Sequence, residues 1–511
     1  MTCTPSITFW YSPGSDHGEG TGGRAEERVS GSTAELIREA RERVAGLAAG
    51  ELREKGFLPR EGMYFPAVLY PPMPMYRPLG DEEFFGAYEG RPKKPFVIYA
   101  HIPFCVLKCR FCHFVSWGGV DPAEKDDYLD ALEKEMDLYG ERLGFEKFPA
   151  AAINIGGGTA TCLSPRQLER FLGFFTARLD LSSCEQFTLD VDVSTLLGDE
   201  GRERLRILHG HGVDRLTIGA QVFDDVLLED MNRANRSADV DEAVRNARDA
   251  GIDNLCIDLI YGYPGQTPEN WLHTLRKAAS LGVDSFQAYR LRIKPHNLLP
   301  GSIAERHAKS PGDFPPLEDV YVMKALSSLV AREAGYSDES YTTLFLRRQR
   351  GISAYHRRKF CDLYDVLGFG LATNNVLGGN VAIKTKEMGR YRSLVEAGSV
   401  PVAQGKICSP DDLLRRAVIG PLRNLSAVDK GSYHEETGRE VSEVFAERLG
   451  RLRDFGIFEE RESEWRLTKR GHFFVDEACI QFFHPDYIPF PRGAYVEGAL
   501  NPYNQTLPLG E

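Results

Sequence analysis

No run of 18 or more apolar residues occurs in the 511-residue sequence, so no membrane-spanning helix is expected. The opening residues, MTCTPSITFW, lack a basic stretch leading into an apolar core, and a cytoplasmic rather than secreted protein is expected. Positive charge is in deficit. Lys and Arg number 62 against 74 Asp and Glu, a net charge of −12. Phosphate backbones need a basic face, so general nucleic-acid binding is excluded. Cysteine is sparse: of ten, seven are scattered, which excludes a disulfide framework. The other three fall within eight residues and point to metal. No internal repeat is present beyond an alternation of strand and helix.

Hydrophobic residues make up 42% of the chain, enough for a sizeable core. Residues 1–30, rich in Gly, Ser and charge, read as a loose terminus. Ser32 to Glu54 has helical spacing, with Leu36, Ala40, Val44 and Leu47 near one face. The Pro-rich run Tyr70–Tyr76 reads as extended. From Pro95 to about Arg292, apolar strands alternate with helices that stop near Gly212, Gly251 and Gly282. Ser164, Pro165 and Gln167 form an N-terminal capping signature. At least six βα units predict an α/β fold, a complete or partial (β/α) barrel, with chemistry at the C-terminal strand ends. Residues 301–400 are less regular, with tight turns expected at Gly368–Gly370 and Gly378-Gly379. From Asp411 onward helices and a short strand pair resemble a small winged-helix unit. The expected units are an N-terminal extension (1–94), a core barrel (95–300), a barrel-completing region (301–400) and a C-terminal unit with tail (401–511).

The central segment runs His101-Ile-Pro-Phe-Cys105-Val-Leu-Lys-Cys109-Arg-Phe-Cys112. Its C-x3-C-x2-C spacing supplies three thiolates. A cubane held by three cysteines keeps one iron for an exogenous ligand, whereas structural iron–sulfur centres normally use four. Zinc would want a fourth Cys or His, and His113 is badly placed for tetrahedral closure. A thioredoxin-like pair would leave Cys105 unexplained.

These residues, together with Gly156-Gly-Gly-Thr159, Arg215–Gln221, Asp258–Pro264, Gly368-Phe-Gly370 and Arg415–Ile419, resemble a radical S-adenosylmethionine (SAM) subfamily. That subfamily groups oxygen-independent coproporphyrinogen III oxidases, haem chaperones and class C radical SAM methyltransferases. The resemblance implies a radical SAM partial barrel with a C-terminal winged-helix-like domain. It implies a [4Fe–4S] cluster on Cys105, Cys109 and Cys112, and one SAM near Gly156, Gly157, Gly158, Thr159, Asp190, Gln221, Arg233 and Asp258. A second SAM is expected near Phe111, Tyr289, Leu291 and Arg292, with Tyr99 and His356 as catalytic candidates. Glycine there would free backbone N–H groups for the methionyl part of SAM. Plain structural roles are the alternative for each: barrel salt bridging for Arg233, core packing for Tyr99, Phe111 and Tyr289.

A small-molecule substrate and an electron donor such as flavodoxin or ferredoxin are implied. The favoured chemistry is C-methylation or a related one-carbon transfer, including cyclopropanation. The alternatives are oxidative decarboxylation of a porphyrinogen and haem delivery. Phe114 stands where the oxidases usually carry a further cysteine, which counts against decarboxylation. About 95 residues precede the first barrel strand, whereas the chaperones begin almost at it. Arg347 and Arg348 are candidates for a substrate carboxylate, with a solvated face as the alternative.

Overall fold

The computed structural model describes residues 31–60, 63–89, 94–294, 300–337 and 343–505. The loose terminus expected for 1–30 lies outside them. The core is a mixed 13-stranded sheet that does not close. Six strands follow in sequence order: β1 (Phe96–Ile102), β2 (Phe148–Gly157), β3 (Phe187–Asp192), β4 (Arg215–Gln221), β5 (Asn254–Tyr261) and β6 (Ser285–Arg290). Each pairs in parallel with the next. Helices Pro122–Leu143, Pro165–Ala177, Gly198–Gly210, Asp239–Asp249 and Pro268–Ser280 form the crossovers. The Ser164–Gln167 capping box is present. Strand β7 (Leu344–Leu346) adds antiparallel to β6.

The sheet also grows on the other side of β1. Strand β8 (Val366–Phe369) pairs with it in parallel, and β9 (Asn374–Leu377), β10 (Asn380–Lys384) and β11 (Val402–Lys406) follow antiparallel. Gly378 and Gly379 make the two-residue β9–β10 hairpin, both at positive φ (57° and 84°), as the turn reading expects. Gly368 is different, a strand residue rather than a turn. A Cβ there would come within 2.6 Å of the Asn374 carbonyl, so the returning hairpin demands glycine.

Alternate residues of each strand face opposite sides. The outer set, including Ile98, Ile155, Leu189, Ile218, Ile257 and Phe286, packs with the helices into the main core. The inner set carries the polar side chains described below. One buried ion pair fastens the sheet extension. Lys384 on β10 meets Glu135 of the Pro122–Leu143 helix, both fully buried. Glu135 also accepts from the Gly370 N–H and the Tyr391 hydroxyl, each at 2.7 Å.

The N-terminal extension packs rather than dangles where it is described. Helix Thr33–Gly46 buries Leu36, Ile37 and Ala40, while Val44 and Leu47 stay half-buried. The Tyr70–Tyr76 run is not fully extended, since Met73–Met75 forms a 3-10 turn whose entry proline geometry favours. Residues 64–70 lie along the C-terminal unit: Tyr64 Oη donates to Asp476 (3.0 Å), as does the Ala67 N–H (3.0 Å). That unit runs helix Pro410–Leu425, strand Ala427–Asp429, three short helices, then strands Phe458–Glu460 and Glu464–Leu467 in one three-stranded sheet, the winged-helix order. Arg415, wholly buried, donates to the Phe482 and Phe483 carbonyls. Among the described residues no helix is long and apolar enough to cross a membrane.

Candidate functional site: a cysteine loop over a polar barrel interior

The three cysteines occupy the loop after β1. His101, the last inward residue of β1, braces it: its Nε2 lies 2.8 Å from the Val115 carbonyl, and burial pulls the ring down to about 4, hence neutral. Lys108 closes the loop from within, donating to the Phe114 carbonyl (2.5 Å) and Ser116 Oγ (2.7 Å), with Cys112 Sγ at 3.9 Å. Burial pushes the Cys105 thiol up to about 12 and raises Cys109. Such thiols stay protonated at neutral pH unless iron faces them. No three His, Cys, Asp or Glu side chains among the described residues converge as ligands on one ion would. A cubane spreads its cysteines over three irons, so three thiols on one loop fit it.

Gly156, Gly157 and Gly158 have a structural reason to be glycine. Gly158 N–H donates to the Ile102 carbonyl (2.8 Å) and Thr159 N–H to Phe104 (2.7 Å), so these groups are engaged by the chain entering the cysteine loop. A Cβ at Gly158 would lie 2.4 Å from the Phe104 oxygen, and one at Gly157, with φ of 104°, 2.4 Å from the His101 ring. A Cβ at Gly156 would strike Asp190 Oδ2 at 2.4 Å and come within 3.3 Å of Tyr99 Oη. The glycines let two loops and two polar side chains crowd together. Thr159 Oγ1 accepts from the Asp192 N–H (3.1 Å), fixing the end of β3.

Asp190 accepts from Asn154 Nδ2 (3.2 Å), and burial pushes it up to about 6. Asp258 accepts from Gln287 Nε2 (3.3 Å), whose oxygen takes a bond from Tyr289 Oη at 2.5 Å. Burial, reinforced by the Asp190 charge, pushes Asp258 up to about 8. Gln221 ends β4 at φ of 68°, beside a bulge, in the left-handed region that favours glycine. Arg233 gathers three elements: Asp192 at 2.9 Å, the Gly219 carbonyl at 2.6 Å and Cys109 Sγ at 3.5 Å. The barrel salt bridge is therefore real, and it reaches the cysteine loop.

Phe111 joins Tyr289 and Leu291 in one apolar cluster with Ile260 and Met231. Arg292 instead lies over the Phe65 ring (5.7 Å) of the N-terminal extension. Tyr99 faces Tyr355 (ring centroids 6.0 Å), which in turn meets His356 (5.4 Å), so Tyr355 stands between the two catalytic candidates. His356 has an exposed side chain, and desolvation by the protein around it and the charges of Lys359, Arg215 and Arg423 pull it down to about 3. It is neutral, its Nδ1 held by Ser353 Oγ at 2.9 Å. Arg348 does not reach this site, because it pairs with Asp284 beside the start of β6, at the opposite end of the strands. Gln287, Arg215, Asn154, Tyr355 and Lys108 belong to the constellation and were not singled out from sequence.

The protonation of Asp258 has a measurable consequence. Folding takes up a proton between the ordinary Asp value of about 4 and about 8, so stability falls as pH rises through that window. Asp258→Asn mimics the protonated form. In thermal melts of cofactor-free protein it is expected to raise Tm over wild type at pH 8 and to leave it nearly unchanged near pH 4. A Tm difference independent of pH would show that Asp258 is ionised throughout.

Comparison with known proteins fits this geometry. Residues 99–278 match the Radical SAM superfamily and residues 408–474 the HemN C-terminal domain. The chain thus carries a Radical SAM domain followed by a HemN C-terminal domain, and its relatives are haem chaperones and oxygen-independent coproporphyrinogen III oxidases. Its cofactors are accordingly a [4Fe–4S] cluster and SAM. The haem chaperone HemW of Bacillus subtilis is 27% identical over 385 residues, 75% of this chain and 98% of the relative. Oxygen-independent coproporphyrinogen III oxidase of Salmonella typhimurium is 26% identical over 422 residues, 79% and 88%. The solved coproporphyrinogen III oxidase of Escherichia coli, 24% identical, superposes with TM-score 0.71 over 82% of this chain and 96% of its own, which establishes the fold. Such relatives favour the two alternatives over the C-methylation expected from sequence.

Proposed function

We propose that this protein is a radical SAM oxidoreductase acting on a tetrapyrrole-type substrate with carboxylate side arms, as the coproporphyrinogen III oxidases among its relatives do by name. The observation that carries the reading is charge placement. In a chain of net charge −12, Arg290, Arg292, Lys294, Lys359 and Arg423 gather around the cysteine side of the barrel. Burial and the neighbouring Arg292 and Lys386 charges pull Lys294 down to about 8. Cations gathered along a concave interior attract a polyanion. The N-terminal extension supports the same reading: Tyr64 lies under Arg290 (4.2 Å) and Phe65 under Arg292, covering this side as a chain starting at β1 could not.

In this reading Cys105, Cys109 and Cys112 hold the cluster, and Asp190, Gln221, Arg233 and Asp258 the adjoining SAM. When bound, these cofactors would supply hydrogen-atom abstraction from the substrate. A propionate arm that has lost a hydrogen atom would then lose carbon dioxide and one electron to leave a vinyl group, the electron passing to an external acceptor. The chain's own residues orient and shield. Arg290, Arg292 and Arg423 bind carboxylates, Tyr355 and neutral His356 line the approach, and the 64–70 segment excludes water.

Phe114 favours a second reading, haem delivery, because it replaces the oxidases' further cysteine. One assay separates the readings: anaerobic reconstituted protein, reductant, methyl-labelled SAM and coproporphyrinogen III. 5′-Deoxyadenosine formed with carbon dioxide and vinyl product is the expected result. Tight haem binding without turnover would replace it with the chaperone reading. Label transferred to an acceptor would overturn both in favour of one-carbon transfer.

A further inference from the structure

A pocket continues the inner face of the sheet past β8. It lies between residues 67–70, the Arg357–Cys361 turn, strands β9 and β10, and helix Pro410–Leu425, and Lys359, Asn374, Arg416 and Arg423 are among its lining. Its cavity of about 40 Å³ holds two or three waters. That suits one carboxylate or small oxyanion and is far too small for a macrocycle.

The charges lining it are unbalanced. Arg423 is matched by Asp476 at 3.2 Å. Lys359 has the Tyr355 hydroxyl at 3.1 Å and the Tyr355 and Phe360 ring faces near 5 Å, but no ion pair among the described residues. Arg416 donates to the Gly379 carbonyl (3.3 Å) and feels Asp365 and Glu436 only at longer range. Asn374, on the inner face with Val376, has a buried Oδ1 without a partner, and turning the amide over presents its NH2 instead. Burial and the Arg416 charge pull the Lys359 ammonium down to about 8. Lys359 and Arg416 are half-buried, and a partly desolvated cation without a counter-ion carries a cost that a ligand anion removes.

We propose that this pocket is a carboxylate-binding subsite in which Lys359, Arg416 and Asn374 hold one carboxylate arm of the substrate. The source of the arm rests on the reading above, since free acetate or phosphate presents the same chemistry. Tyr355, one helical turn before Lys359, faces Tyr99. An arm anchored here leaves the rest of the molecule beside Tyr355 and His356, toward the cysteine loop.

The test uses the full-length, reconstituted protein with SAM, titrated with coproporphyrin III, the stable oxidised macrocycle, and with its tetramethyl ester. Lys359→Met is expected to weaken coproporphyrin III binding about tenfold or more, the worth of a charged hydrogen bond. SAM and ester binding stay unchanged, and Lys359→Arg restores most of the loss. Wild-type affinity in a Lys359→Met protein that melts normally would overturn the subsite. Should wild type bind no coproporphyrin III, the tetrapyrrole reading fails and the subsite is judged on anions alone. Sodium acetate or inorganic phosphate is then expected to slow acetylation of Lys359 by acetic anhydride, followed by peptide mass spectrometry. Labelling indifferent to both anions overturns the subsite as well.

Discussion

Replacing Cys109 by alanine is expected to abolish the iron–sulfur absorbance of anaerobically reconstituted protein and its reductive cleavage of SAM. Cys109 is the middle cysteine of the loop and the one that Arg233 contacts. Losing it leaves two thiols, too few to hold a cubane with one free corner. Side chains that merely hydrogen-bond a metal's ligands are worth about 10–100-fold, so a lost ligand should cost at least that in SAM cleavage. Arg233→Lys is a useful companion. The single ammonium cannot serve Asp192, the Gly219 carbonyl and Cys109 together. Its expected signature is a retained but altered cluster spectrum, whereas Cys109→Ala has none. Wild-type absorbance in the alanine variant would refute the ligand assignment.

The second large effect concerns stability. Lys384→Ala leaves the Glu135 carboxylate buried against Tyr391 and Gly370 with no cation. Stranding one partner of a buried pair costs about 3–5 kcal/mol. The loss falls on the junction between the Pro122–Leu143 helix and the β8–β10 extension. Removing both charges together, with Glu135→Leu and Lys384→Met, is expected to recover much of the loss, because apolar replacement of a buried pair is often neutral. Calorimetric or circular-dichroism melts of the single and double variants decide it. A single variant that melts like wild type would show that the pair is not buried in solution.

How much of this was legible in the sequence follows from period and length. Strands β1 to β6 are apolar runs of six to ten residues separated by helices, and each lies within a few residues of its expected place. Strand β8 was missed because it has four residues and holds Gly368, which reads as a turn when the returning hairpin is out of sight. The cysteine loop was legible because its chemistry is local. The polar interior was only half legible. Asp190 and Asp258 came from resemblance, while Asn154 and Gln287 occupy inward positions beside them by strand alternation. Applying period two outward from Asp190 and Asp258 to the neighbouring strands would have found both. Lys359 and Arg416 carried no such signal. They meet only because a π-helical turn and the Pro410–Leu425 helix pack together, some 50 residues apart in sequence. The crowding that demands glycine at 156–158 was not legible, because sequence shows where glycine is and not which neighbour requires it.

Electron paramagnetic resonance of the reduced, reconstituted protein, recorded before and after SAM is added, tests the central claim most directly. Three-cysteine ligation predicts a reduced [4Fe–4S] signal whose g-values shift when SAM occupies the fourth iron. A signal indifferent to SAM, or protein that takes up no iron and sulfide, would contradict it.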